Sequence, residues 1–105
     1  MIVVLFRSRL VADVGEDYAQ WLAEMKALVH ENPGFIDIKA FLADDGERLS
    51  VVRFRDEESL RAWATNPRHL EAQRLGRLKW YESYTVEVLT ANRSSEFSRA
   101  AQAAG

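Results

Sequence analysis

The sequence has no cysteine, and it has only two prolines and two histidines among its 105 residues. Without cysteine there are no disulfides, thiolate nucleophiles, iron–sulfur clusters or thiolate zinc sites. The two histidines, His30 and His69, have no histidine or carboxylate beside them at metal-ligand spacing, so we expect no metal site. Glycine-rich phosphate loops, the serine-hydrolase elbow and the zinc-protease motif are also absent.

The sequence also has neither a large excess of charge of one sign nor a long hydrophobic run. Fourteen basic residues oppose sixteen acidic residues, which gives a net charge of -2 and offers no basic surface for nucleic acid. The apolar run Ile2–Phe6 is far shorter than the roughly 20 residues of a membrane-spanning helix, and no charged leader precedes it. We therefore expect a soluble, cytoplasmic protein with neither nucleic acid nor membrane as partner.

What the chain does contain is enough apolar sequence for one folded domain. Apolar residues make up 48% and charged residues 29%, a globular composition at single-domain length. We predict one domain over residues 1–91. Residues 92–105 are small, polar and alanine-rich, and we expect them to form a tail that is frayed or docked on a neighbouring subunit.

Two kinds of periodicity alternate along this domain. Runs rich in β-branched and aromatic residues predict strands at Ile2–Leu10, Phe35–Leu42, Leu49–Arg55 and Trp80–Thr90. Apolar residues at helical spacing predict helices over Glu16–Val29, after a cap at Asp56, and over Arg68–Leu78. Asn66-Pro67 predicts a break between the last two helical segments, because asparagine is a good cap and proline a good first helical residue.

The order of these elements predicts an α+β fold. A βαββαβ order with right-handed crossovers gives a ferredoxin-like, four-stranded antiparallel sheet with its helices on one face. The first strand is apolar on both sides, so the second face also needs cover. We predict a homodimer through this open sheet face, forming a dimeric α/β barrel. The alternative is a monomer whose tail covers the same face.

Chemistry-bearing residues concentrate between the second helical region and the last strand. They are Trp63, Asn66, Pro67, His69, Gln73, Arg74, Gly76, Arg77, Trp80, Tyr81 and Tyr84. Aromatic walls with a few polar groups are typical of a small-molecule pocket, although the same residues can form an ordinary core with a solvent-facing His69. Gly76 is interpreted as a point of close approach between helix and sheet, or of helix termination.

Several of these residues fall in a recognisable order. The stretch DEESLRAW at 56–63, NPRHL at 66–70, Gly76, Trp80-Tyr81 and Tyr84–Val86 together resemble the antibiotic biosynthesis monooxygenase family, over residues 1 to about 91. The resemblance implies a dimeric α+β barrel. It also implies a choice of activities, because some members oxidise polycyclic aromatic phenols to quinones with O2 and without metal or flavin. Others degrade haem, isomerise small metabolites or bind them.

This chain has only some of the site residues that the quinone-forming and the haem-degrading members of the family carry. Quinone-forming members carry an asparagine four residues before the tryptophan, where this chain has Ser59. Haem-degrading members carry an asparagine in the first strand and a histidine about ten residues after the tryptophan, where this chain has Ser8 and Gln73. The resemblance therefore implies no haem ligand, and it carries over Trp63. His69 lies six residues later, where quinone-forming relatives have a polar aromatic residue.

The resulting hypothesis is oxidation of an electron-rich phenolic or quinol-type molecule by O2, with no cofactor. His69 takes the proton, Trp63 and Trp80 enclose the ring, and Arg77 holds the anion. Further contacts are expected from Gln73, Tyr84, Ser59 and Ser8, and alternative anion partners are Arg7 and Arg9. The competing hypotheses are a non-catalytic small-molecule-binding or structural dimer module and a quinone- or aldehyde-metabolising enzyme of the same fold. A continuous void of a few hundred cubic ångströms along Trp63 and His69 would favour the enzyme.

Overall fold

The computed structural model describes residues 1–100, and it contains the predicted βαββαβ order. The elements are β1 (Ile2–Leu10), α1 (Glu16–Val29), β2 (Phe35–Leu42), β3 (Arg48–Phe54), α2 (Glu57–Ala64), α3 (Pro67–Leu75), a π-helical turn (Gly76–Trp80) and β4 (Tyr81–Thr90). Residues 91–98 form neither helix nor strand. The end of the predicted tail, 101–105, lies outside the described residues. Within residues 1–100, no helix has the length and apolar character needed to cross a membrane.

The four strands form one antiparallel sheet in the order β2-β3-β1-β4, which confirms the ferredoxin-like fold. The central strand β1 pairs with both neighbours: Phe6 lies opposite Ser50 of β3 and opposite Val86 of β4. Because side chains alternate along a strand, β1 sends Val4, Phe6 and Ser8 toward the helices and Leu5 to the opposite face.

The predicted helix caps are confirmed. The carboxylate of Asp56 accepts a hydrogen bond from the backbone N–H of Ser59 at the start of α2. The side chain of Asn66 accepts hydrogen bonds from the backbone N–H groups of Arg68 and His69, with Pro67 as the first residue of α3. Each cap satisfies amide groups that have no partner within their own helix. The break at Asn66 therefore separates α2 from α3.

The predicted end of the last helix was wrong. α3 ends at Leu75 instead of Leu78, and Gly76–Trp80 form a π-helical turn in which the N–H of Tyr81 bonds to the carbonyl of Gly76. β4 consequently begins at Tyr81, one residue later than predicted. A π-helical turn adds one residue to the helical path, and such turns often occur beside functional sites.

Simple alternation along the sequence predicts Tyr81 and Tyr84 on opposite faces and Phe35 and Asp37 on one face, and two bulges correct both expectations. In β4 the register shifts between Arg9 and Leu10 of its partner strand, which brings Tyr81 to the same face as Tyr84. In β2 the shift between Phe35 and Asp37 separates these two residues onto different faces. A bulge changes the face of every residue beyond it, and simple alternation along the sequence does not reveal it.

The core lies at one end of the layer between helices and sheet. Ile2, Val29 and Phe54 are buried, and Val4, Phe35, Val52, Leu60 and Trp63 pack against them. Ile2 begins β1, Phe54 ends β3 and Val29 ends α1, so the packed end of the layer is where these three elements meet. Toward the other end the helices and the sheet enclose open space.

Candidate functional site

A cavity of about 370 Å³ separates the helices from the sheet. Its floor is the helix-facing side of the sheet, and its walls come from α1, α2 and α3. Its aromatic lining residues are Phe6, Tyr18, Trp21, Phe54, Trp63, Trp80, Tyr81 and Tyr84. Exposed side chains of β4, including Val86 and Val88, form its open side. No aspartate or glutamate lines it, so the cavity favours an aromatic molecule over a cation.

His69 and Trp63 form the most unusual pair in this cavity. Their rings are stacked, with centroids 4.4 Å apart and planes inclined by 28°. The break at Asn66 produces this contact, because it turns the first residues of α3 back against the last turn of α2. Among residues 1–100, His69 Nδ1 is the one buried side-chain nitrogen or oxygen without a hydrogen-bond partner.

Burial also sets the protonation state of His69. It lowers the pKa of the imidazole below its usual 6.5, and the nearby carbonyls of Ala64 and Trp63 oppose this lowering only in part. The ring is therefore neutral at neutral pH. A neutral imidazole that lines the cavity can accept a proton from, or hydrogen-bond to, a molecule there.

Three tyrosines and one phenylalanine form another part of the cavity wall. Phe6 lies 5.4 Å from both Tyr81 and Tyr84, and Tyr18 lies 6.2 Å from Tyr81, measured between ring centroids. Burial raises the pKa of the Tyr81 phenol, so this hydroxyl keeps its proton. Sequence reasoning included Tyr81 in the candidate cluster, and it lines the cavity, but it did not include Tyr18 or Phe6. Tyr18 belonged to the predicted apolar stripe of α1, and that stripe was the available signal.

Trp80 closes the end of the cavity where β4 begins. It is buried, and its indole N–H donates to the Asp17 carboxylate at 3.3 Å instead of to a backbone carbonyl. Lys79 forms an ion pair with the same carboxylate and is the main reason that the pKa of Asp17 is lowered. Together these contacts fasten the π-helical turn to the start of α1.

The structure brings most of the predicted site residues together. Trp63, His69, Gln73, Trp80 and Tyr84 all line the main cavity. Ser8 lines a smaller recess of about 140 Å³ that shares several wall residues with it. In the described part of the chain, no cluster of His, Asp and Glu has the composition of a metal site.

Four predicted residues lie elsewhere. Ser59 is outside the cavity because its hydroxyl donates to the capping Asp56 at 2.7 Å. Arg77 is exposed and donates to the hydroxyl of Tyr84 at 3.3 Å, so it reaches the cavity wall only through that tyrosine. The alternative anion partners, Arg7 and Arg9, form ion pairs with two hairpin carboxylates, Glu47 and Asp45.

A ferredoxin-like sheet with an aromatic cavity beneath its helices defines a small α+β domain suited to binding small molecules. The chain belongs to the antibiotic biosynthesis monooxygenase family, whose sequence model matches residues 1–75. Among curated proteins it is similar to the uncharacterized protein YqjZ of Bacillus subtilis, with 29% identity over 80 residues, which are 76% of this chain and 70% of YqjZ.

Solved structures share the fold at low sequence identity. Rv0793 from Mycobacterium tuberculosis has a TM-score of 0.78 at 18% identity, covering 90% of this chain and 98% of its own. SnoaB from Streptomyces nogalater, described as a cofactor-independent oxygenase, has a TM-score of 0.72 at 15% identity, covering 89% and 94%. The family includes cofactor-independent oxygenases, and the predicted family and fold are both confirmed.

Proposed function

We propose that this protein is a cofactor-independent monooxygenase that oxidises an electron-rich phenolic or quinol-type molecule with O2. The observation that carries the proposal is His69, a neutral base with a buried, unpaired nitrogen, stacked on Trp63 at the wall of a 370 Å³ aromatic cavity. Small-molecule sites commonly have volumes of roughly 300–1,000 Å³, and this cavity lies within that range. SnoaB supplies a precedent for such chemistry on this fold.

The chemistry needs one base and a site that holds an aromatic ring. In an anthrone-like substrate, His69 accepts a proton from the acidic ring carbon or its phenolic tautomer, which leaves an electron-rich anion. The anion reduces O2, and a carbon–oxygen bond forms to give a hydroperoxide. Loss of water then breaks the O–O bond and leaves a carbonyl, so one oxygen atom enters the product and the other leaves as water. The substrate supplies every electron.

The other residues bind and orient in this proposal. Trp63 and Trp80 hold the ring between the helices and the sheet, and Gln73 and Tyr84 offer hydrogen bonds from the cavity lining. Arg77 is a positioning residue, since its guanidinium orients the Tyr84 hydroxyl. Ser59 supports α2 through its contact with Asp56 and has no direct role at the substrate.

Oxygen uptake with anthrone tests the proposal. We expect consumption of O2 above the spontaneous rate, appearance of anthraquinone, and one labelled oxygen in the product from ¹⁸O2. His69→Ala should lower the enzymatic rate by about 10²-fold or more, the usual contribution of a general base. His30→Ala is the matched control, because His30 is exposed and does not line the cavity.

Two results would contradict the oxygenase proposal or the role of His69 in it. If anthrone and related hydroquinones bind but no O2 is consumed beyond the uncatalysed rate, the oxygenase proposal is wrong and a ligand-binding module is supported. Equal rates for His69→Ala and the unaltered protein would remove His69 from the mechanism.

We also propose that two copies associate through the sheet face opposite the helices, in the cytoplasm. Residues of β1 and β3 on this face, including Leu5 and Val51, form an apolar strip, and Leu89 of β4 is 43% exposed beside it. Apolar strips of this extent are typical of interfaces. In sedimentation experiments at micromolar concentration we expect a dimer that Val51→Lys dissociates, and a monomeric unaltered protein would contradict this.

A further inference from the structure

The recess of about 140 Å³ beside the main cavity has a different chemical character. It lies between α1 and the strands β2 and β3, and it shares Phe6, Tyr18 and Tyr81 with the main cavity. The two spaces therefore adjoin at a common aromatic wall. Neither has an aspartate or glutamate in its lining.

Two cationic side chains in the recess have no counter-ion among residues 1–100. Lys26 of α1 and Arg48 of β3 both line it, and neither forms an ion pair within residues 1–100. By contrast, Arg7, Arg9 and Arg53 all pair with carboxylates. A further lining residue, Lys39, alternates to the opposite face, where its ammonium lies 5.5 Å from the Phe41 ring.

Two further groups, the Ser8 hydroxyl and the Tyr81 phenol, lie in the lining beside these cations. Ser8 is directly opposite Arg48 in the sheet register, is only 4% exposed and lines the recess. The positive charge of Arg48 acts on the buried phenol of Tyr81, where it partly opposes the effect of burial. Arg48 therefore lies near the wall that both spaces share.

We propose that this recess binds the carboxylate of the substrate whose aromatic ring occupies the main cavity, so that the substrate is an aromatic acid. The anion site itself does not depend on the proposed function. Only the statement that the bound acid is a substrate rests on it. A carboxylate suits the donors present: the planar guanidinium of Arg48 matches its two oxygens, Lys26 adds a second positive charge, and the Ser8 hydroxyl can donate to it.

A binding experiment with two matched probes tests this proposal. Anthracene-9-carboxylate and 9-anthracenemethanol share a ring system and differ in charge. Binding to the full chain is followed by quenching of tryptophan fluorescence, since Trp21, Trp63 and Trp80 all line the main cavity. We expect the carboxylate to bind at least about tenfold more tightly, a difference of about 1.4 kcal/mol, because hydrogen bonds to a charged group are stronger than those between neutral groups.

Two variants test whether the preference for the carboxylate probe arises in the recess. Arg48→Gln and Lys26→Gln should each reduce the preference for the carboxylate several-fold and leave the affinity for the alcohol unchanged. Arg74→Gln is the control, because Arg74 pairs with Glu71 on α3 and lines neither space. Thermal unfolding of each variant verifies that it is folded.

The outcomes separate this inference from the proposed oxygenase. Equal affinity for the two probes, or an undiminished preference in both recess variants, would overturn the anion site even if anthrone is oxidised. A carboxylate preference that depends on Arg48, without any oxygen consumption, would establish the anion site in a binding protein that is not an oxygenase.

Discussion

The cap of α3 gives a direct test of how the fold positions the candidate base. Asn66 accepts hydrogen bonds from two backbone N–H groups, at 2.9 Å to Arg68 and 3.3 Å to His69. Asn66→Ala removes both. The second of these amides belongs to the residue whose ring stacks on Trp63, so the substitution loosens the turn that holds the candidate base.

The expected loss of stability follows from the environment of the cap and from the residues in the first turn of α3. Replacing a capping residue by alanine costs about 0.5–2 kcal/mol. Asn66 is half-buried, and the first turn of α3 has no acidic residue to interact with the helix dipole. We therefore expect a loss of about 1–2 kcal/mol, in the upper part of that range. For a domain of this size, each kcal/mol lowers Tm by about 4–8 °C.

The assay is thermal unfolding by circular dichroism at one fixed protein concentration, since association makes Tm depend on concentration. Asn66→Asp is the matched control, because aspartate keeps the accepting oxygen and its charge suits a helix N-terminus. It should stay within about 0.5 kcal/mol of the unaltered protein, a difference typical of neutral surface changes. If both variants unfold alike, the cap does not stabilise α3 and our account of how His69 is positioned is wrong.

Two further predictions concern His69 and Gly76. Because burial lowers the pKa of His69, its contribution to stability is fully present above pH 6.5 and is lost as the pH falls; melting curves from pH 7.5 to 5 should show a Tm decline that is smaller in His69→Phe, and an equal decline in the variant and the unaltered protein would contradict this. Gly76→Ala should lower stability by about 1–2 kcal/mol, because overpacking costs about 1–3 kcal/mol and better helix propensity returns less than about 1. Its new Cβ would lie 2.6 Å from Cε2 of Tyr81. A higher Tm for Gly76→Ala, which propensity alone would give, contradicts that reasoning.

Local signals along the chain were sufficient for the fold. Hydrophobic periodicity predicted β1, α1 and β2 with the bounds that the structure has, and the Asn66-Pro67 pair predicted the break before α3. These features depend on residues close in sequence, where spacing and capping chemistry are visible directly. The order of the elements then permitted few topologies, and the ferredoxin-like one was correct.

The site could be predicted only in part. Trp63, His69 and Gln73 lie within two consecutive short helices, so their grouping was visible in the sequence. The faces of Tyr81 and Phe35 were not, because a bulge depends on how two distant strands pair. Ser59 and Arg77 were expected to contact the ligand. Instead, Ser59 hydrogen-bonds to Asp56 and Arg77 hydrogen-bonds to Tyr84.

The sequence by itself determined the elements, their order and the family, because periodicity, caps and turn residues act over a few positions. Only the tertiary structure decided which side chains meet. The unpaired nitrogen of His69 and the uncompensated charges of Lys26 and Arg48 are properties of surroundings built from several elements. Whether a charge or a ring nitrogen finds a partner depends on distances between segments far apart in the chain, and no local pattern contains those distances.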